Sequence, residues 1–158
     1  MSSVEPSLDA RAVQQWVGPN AFKRGQWYQR QGRVLHPRRE GWRLKAWCQG
    51  QAREPYRVEV RLTPAGIGEA WCTCPAGRDG RCKHVAAVLL HWLAHPGQFR
   101  PASVYRQSLA RWPREHLLRL VRAMLARHPD LEDLLPLYAP PSARPSQGPS
   151  SRGAGDDG

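Results

Sequence analysis

Two stretches of the chain alternate apolar and polar residues one by one. In Gly41-Trp42-Arg43-Leu44-Lys45-Ala46-Trp47-Cys48, the residues Trp42, Leu44, Ala46 and Cys48 fall on one side. In Tyr56-Arg57-Val58-Glu59-Val60-Arg61-Leu62, the inward set is Tyr56, Val58, Val60 and Leu62. Period two marks half-buried antiparallel strands. A further strand is predicted from Ile67 to Cys72. The opposite face of the first two strands carries Arg43, Lys45, Trp47, Arg57 and Arg61, with Glu59 the one opposing charge.

Elsewhere the pattern is helical. Asn20 is a suitable N-cap for a helix over Ala21 to Gln31, and Gly32 a suitable terminator. Phe22, Trp27 and Tyr28 give that helix an aromatic face, read as core packing. Val85 to Ala94 is apolar and stops near Pro96-Gly97, as a buried helix would. Leu8 to Trp16 predicts a short helix whose docking stays open. Beyond Pro101, Pro113 suits a first helical position. Leu117, Leu118, Val121, Met124 and Leu125 form a stripe, and a short helix follows from Leu131 to Leu137. These helices either cover the sheet or stand apart. From Ala139 the composition of Pro, Ser, Gly, Ala and Asp predicts disorder. The fold class is α+β: a small antiparallel sheet of three to four strands with flanking helices, plus a C-terminal helical segment. The expected divisions are 1–18, 19–100, 101–138 and 139–158.

The candidate chemistry is concentrated in one place. Cys72-Thr73-Cys74 is separated by seven residues from Cys82-Lys83-His84. Three cysteines and a histidine make a Cys₃His set, which suits a tetrahedral structural zinc. Residues i and i+2 of a strand share a face, so Cys72 and Cys74 can grip one ion. The intervening segment, Pro75 to Arg81, is rich in turn formers. Two residues inside a helix are roughly 200° apart. Cys82 is therefore placed just before a helix and His84 in its first turn. A disulfide between Cys72 and Cys74 would be strained. Thiol redox chemistry is the competing role for these cysteines. Cys48, inward on its strand, reads as a small buried hydrophobe. His91 and His95 lie at least ~10 Å along the helix from His84 and cannot share its metal. They read as histidines at a helix C-terminus.

The motif, with Trp71 before it, Pro75 after the second cysteine and Lys83-His84-Val85-Ala86-Ala87 closing it, resembles the SWIM zinc finger. Phe22 to Val34 is similar to the helix-glycine-valine entry of bacterial SWIM proteins. Leu44 to Gly50 and Pro55 to Val60 are similar to the strands before their zinc ligands. The similarity spans about residues 20 to 95. Cys48 departs from it, standing where an aliphatic residue is expected. The resemblance implies a zinc-bound module for DNA or protein, often found in helicase-like ATPases and transposases, with no activity of its own. Helical pairs also recur downstream of the finger in such proteins.

Charge narrows the partner. The chain has 24 Lys+Arg against 13 Asp+Glu. Residues 19–100 hold 15 basic and 5 acidic residues, a net of +10. Such a field favours polyanions. Arginine outnumbers lysine 21 to 3, which suits phosphate forks and equally reflects a GC-rich genome. Basic residues around Trp47 can track phosphates and stack a base, and the same pattern describes an ordinary solvated sheet face. Arg78 and Arg81 in the metal loop are further candidates for nucleic acid. The first residues lack a basic start and an apolar core, and no apolar run is long enough to span a membrane. A cytoplasmic protein without membrane or small-molecule partners is expected. No phosphate-binding Gly-rich loop, nucleophile elbow or acid/base pair is present, so no enzyme is expected. Two functions remain: a nucleic-acid-binding module, DNA foremost, and a protein-interaction adaptor for a separate helicase-like ATPase.

Overall fold

A computed structural model describes residues 4–144. The chain divides into two compact units, Met1–Ser108 and Leu109–Gly158.

The first unit opens with α1, Ala10–Val17, whose start is fixed by Asp9 Oδ1 accepting from the Ala12 N–H at 2.8 Å. Helix α2, Pro19–Arg30, follows at once. Asn20 is not its N-cap. Gly18 takes that position and Pro19 the first helical one, where a missing N–H costs nothing and the fixed φ suits the helix. Gly32, at φ +66°, ends the segment as anticipated.

Four strands then form an antiparallel meander: β1, Val34–Glu40; β2, Arg43–Cys48; β3, Tyr56–Thr63; and β4, Gly66–Cys72. Helix α3, Lys83–Ala94, leads to the two-residue strand β5, Arg100–Pro101, and the short helix α4, Ser103–Ser108. The sheet order is β4-β3-β2-β1-β5, with β5 parallel to β1. The sheet is thus one strand larger than the three to four expected. Strand β1 escapes an alternation test because its register shifts between Leu35 and Arg38. His36 there has φ +50°, and Pro37 has no N–H to give a ladder.

The inner sheet face presents Leu44, Ala46, Cys48, Val58, Val60, Leu62 and Ala70, all buried. Helix α3 lies between this face and helices α1 and α2. Residues His84 to Leu89 are therefore buried on every side, which is why the segment is apolar all round rather than striped. Each such Val or Leu contributes about 1.5–3 kcal/mol by leaving water. Helices α2 and α3 cross at Gly25, where a Cβ would lie 2.5 Å from Ala86 Cβ. The glycine permits an approach that no side chain would allow. Helix α1 inserts Val13 and Val17 into the same core.

The second unit contains α5, Arg114–Arg127, and α6, Leu135–Tyr138, joined by a 3-10 stretch over Pro129–Leu134. None of these elements buries a residue. Of the α5 stripe, Leu118, Val121 and Met124 are exposed, while Leu117 and Leu125 are half-buried. Within the tail expected to be disordered from Ala139, Pro141–Ala143 forms a 3-10 turn. The rest of that tail, from residue 145, lies outside the described residues. Among those residues, no helix is long and apolar enough to cross a membrane.

Candidate metal centre and its surroundings

Strand β4 delivers Cys72 as its last residue. Beyond it, the Thr73 N–H donates to the Arg57 carbonyl at 3.0 Å, so the chain stays extended one step more. Cys74 then enters a turn closed by the Gly77 N–H donating to its carbonyl. The two thiols are therefore presented by a strand end and a turn rather than by one regular strand. The return leg is fixed by Gly80. Its φ is +69°, and a Cβ there would fall 2.2 Å from the Ala70 oxygen. Cys82 is the N-cap of α3 and His84 its second residue, which is the placement that the helical geometry predicted.

The ligand atoms of Cys72, Cys74, Cys82 and His84 all lie within 4.8 Å of one another, and all four residues are buried. A tetrahedral zinc holds its S and N ligands about 3.5–3.8 Å apart. Cys72 Sγ and His84 Nδ1 are 3.8 Å apart. Nδ1 is thus the histidine nitrogen that faces the thiols. All four cysteines of the chain are free thiols, so the disulfide alternative is not realised. The donor set and its spacing fit one structural zinc ion. Four protein ligands leave it no open position for water or substrate.

The protein also prepares the charge of the site. The Val85 N–H donates to Cys82 Sγ and the Cys74 N–H to Cys72 Sγ, both at 3.5 Å. The Cys72 thiol donates to Cys82, and this draws Cys82 down to about 4, with His84 and the Val85 N–H acting in the same direction. Cys72 is correspondingly raised, first by that donor role and then by burial. Burial also raises Cys74. Cys48 is fully buried outside the quartet, and burial pushes its thiol up to about 12. It is a neutral core thiol.

Two aromatic rings hold the histidine. Tyr28 of α2 meets it edge-on at 5.4 Å between centroids, and Tyr56 of β3 lies at 4.8 Å, tilted by 38°. Both tyrosines were readable only as core residues, since their contact with His84 joins three distant segments. A second support comes from α1. Trp16 Nε1 donates to the Gly80 carbonyl at 2.9 Å, and the Arg81 guanidinium donates to the Trp16 carbonyl at 2.7 Å. The first helix thus braces the metal loop. His91 Nε2 is 2.8 Å from Gln98 Oε1, and its ring packs against His95 and Phe99, away from the zinc ligands.

The polar residues of the sheet assemble on its outer face. Across β2 and β3, Arg43 faces Arg61, Lys45 faces Glu59 and Trp47 faces Arg57. Glu59 is not the only opposing charge. Glu59 binds Arg43 at 2.6 Å, Glu40 binds Lys45 at 3.4 Å and Glu69 binds Arg61 at 3.5 Å. Glu69 reaches Arg61 because β4 pairs with β3, and Glu40 reaches Lys45 because β1 pairs with β2. Arg57 lies instead over the Trp71 ring at 4.9 Å. Trp71 faces Glu59 across the β3–β4 ladder and is 39% exposed. The sequence marks it only as a neighbour of the metal motif. Its position on an outward site of β4 makes it part of the same face as Trp47. Arg78 and Arg81 are exposed on the metal loop.

A small α+β unit closed by a Cys₃His zinc centre is the class that this fold and site define. The family model of the SWIM zinc finger matches residues 56–93, from the start of β3 almost to the end of α3. The chain therefore carries a SWIM zinc finger. The upstream similarity, from about residue 20, lies outside the matched segment. No curated protein and no solved structure matches the chain.

Proposed function

We propose that this chain is a non-catalytic nucleic-acid-binding module, with DNA as its ligand. The observation that carries the reading is the row on the outer sheet face, where Arg57 lies between Trp47 on β2 and Trp71 on β4. Aromatic rings flanking a cation can stack bases while the cation meets phosphate. The strongly basic balance of residues 19–100 supports the same ligand. Nothing on this face resembles a recognition helix, so weak sequence preference is expected.

The test is fluorescence anisotropy with short single- and double-stranded oligonucleotides at two salt concentrations. Affinity should fall as salt rises. Trp71→Ala and Trp47→Ala should each weaken single-stranded binding more than duplex binding. Absence of binding at low salt would refute the reading.

A second reading is an adaptor for another protein, such as a separate helicase-like ATPase. The exposed apolar residues of α5, with Leu135, Leu137 and Tyr138 beyond it, favour that reading. Retention of a protein partner by residues 109–158 alone would support it.

A further inference from the structure

A cleft of about 380 Å³ opens beside the zinc ligands and shares Cys74 and Pro75 with a hollow that Trp71 lines. Its charged lining is Arg24 of α2, Arg81 of the metal loop and Lys83 of α3; among the described residues, no carboxylate lines it. Arg24 is exposed and forms no ion pair among the described residues. Arg81 spends one N–H on the Trp16 carbonyl and stacks on that ring at 4.7 Å. Lys83 lies over Tyr28 with its Nζ 5.0 Å from the ring centroid. Neither side chain pairs with a described acid. The Arg81 backbone N–H donates to Asp79 Oδ1 at 3.1 Å, but that carboxylate does not line the hollow the three cations share.

Part of this charge answers the zinc. Zinc with three thiolates and a neutral histidine carries about −1. Three cations less that charge leave about +2 at the cleft. A phosphomonoester carries about −1.5 to −2 at neutral pH, whereas an internal phosphodiester carries about −1. The remaining lining suits the same guest. The first turn of α2, which no side chain caps, reaches the cleft through Asn20, and such turns direct free backbone N–H groups at anions. The start of α3 is already engaged, with its Val85 N–H on Cys82 Sγ. His84 also lines the cleft. It is 3% exposed, and its Nε2 has no hydrogen-bond partner.

We propose that this cleft binds a phosphomonoester, and that its carrier is the phosphorylated end of a nucleic-acid strand. The choice of carrier rests on the nucleic-acid reading above; the choice of phosphomonoester rests on the charge of the cleft. Cys74 and Pro75 line both the cleft and the hollow beside Trp71, so a strand on the tryptophans can bring its end over the metal loop.

The test uses the zinc-loaded full chain and one single-stranded oligonucleotide made with a 5′-phosphate, a 3′-phosphate or hydroxyls at both ends. One phosphorylated form should bind about tenfold or more tightly than the hydroxyl form. A nucleoside monophosphate should erase that advantage by competition. Arg24→Gln should abolish it while leaving the hydroxyl strand, the zinc content and the melting temperature unchanged. Equal binding of all three strands would overturn the cleft proposal and leave the nucleic-acid reading intact. Failure of every strand to bind, with the monophosphate still bound in an Arg24-dependent way, would refute the strand as carrier and keep the phosphomonoester site. Failure of both would refute both.

Discussion

The outer sheet face and the cleft beside the zinc are both rich in cations, yet they are different electrostatic objects. On the sheet, Arg43, Lys45 and Arg61 each meet a glutamate. In the cleft, Arg24, Arg81 and Lys83 share a lining that holds no described carboxylate. Exposed ion pairs of the first kind add only about 0–1 kcal/mol to stability, but they take cations away from any external phosphate. Arg57 is the exception on the sheet, bound to a tryptophan rather than to an acid. A net charge of +10 over residues 19–100 is therefore a poor guide to where a polyanion would lie. Strand pairing decides which of those charges are available.

The most drastic way to break the comparison is to remove the metal on which one of the two regions depends. Cys82→Ser, Cys74→Ser and His84→Ala should each abolish zinc retention and unfold the metal loop. Structural zinc in small modules is worth roughly 10–16 kcal/mol of apparent binding energy. Metal analysis and thermal melting check this, and Cys48→Ala is the control that keeps its zinc. The metal should also be acid-labile. Cys72 is raised by its hydrogen bond to Cys82 and by burial, Cys74 by burial, and Cys82 is lowered by the Cys72 thiol. Zinc must then displace at least two protons, so affinity rises with pH and is lost on acidification. Competition with a chelator between about pH 7.5 and 6 should show a fall of roughly a hundredfold per pH unit. A fall of about tenfold or less would contradict it.

Gly80→Ala attacks the same region through the backbone. The residue has a left-handed φ, and a Cβ would strike the Ala70 carbonyl. A loss of about 1–3 kcal/mol is expected, read as a lower melting temperature with zinc still bound.

The zinc quartet was legible because its chemistry is local: four ligands fall within thirteen residues, and helix geometry alone put Cys82 at the cap. Strands β2 and β3 were legible because each has one wet and one dry face. Strand β1 was not, since Pro37 and the bulge break its alternation. Strand β5 has only two residues and pairs with β1 across more than sixty positions of chain, a pairing with no local signature. The bracing of the metal loop by Trp16 and the capture of Arg61 by Glu69 are equally non-local. So is the cleft, which draws Arg24 from one helix and Lys83 from another.

A gentler change sharpens the comparison from the other side. Glu59→Gln and Glu69→Gln release Arg43 and Arg61 without altering shape. Together they should raise affinity for single-stranded DNA by about two- to fivefold at low salt, with no gain at high salt. Unchanged affinity would mean that the sheet cations do not meet the strand.

The central claim is that the cations without carboxylate partners hold the nucleic acid. The salt dependence of binding by the end-phosphorylated single strand tests it directly, measured for Arg24→Gln/Arg57→Gln beside Arg43→Gln/Arg61→Gln. Every phosphate that a variant no longer neutralises should flatten the logarithmic slope by about 0.7. The slope of the first pair should therefore flatten by about 1.4, and that of the second pair by clearly less than about 0.7. Equal slopes for the two pairs, or a greater flattening in the second, would contradict the account.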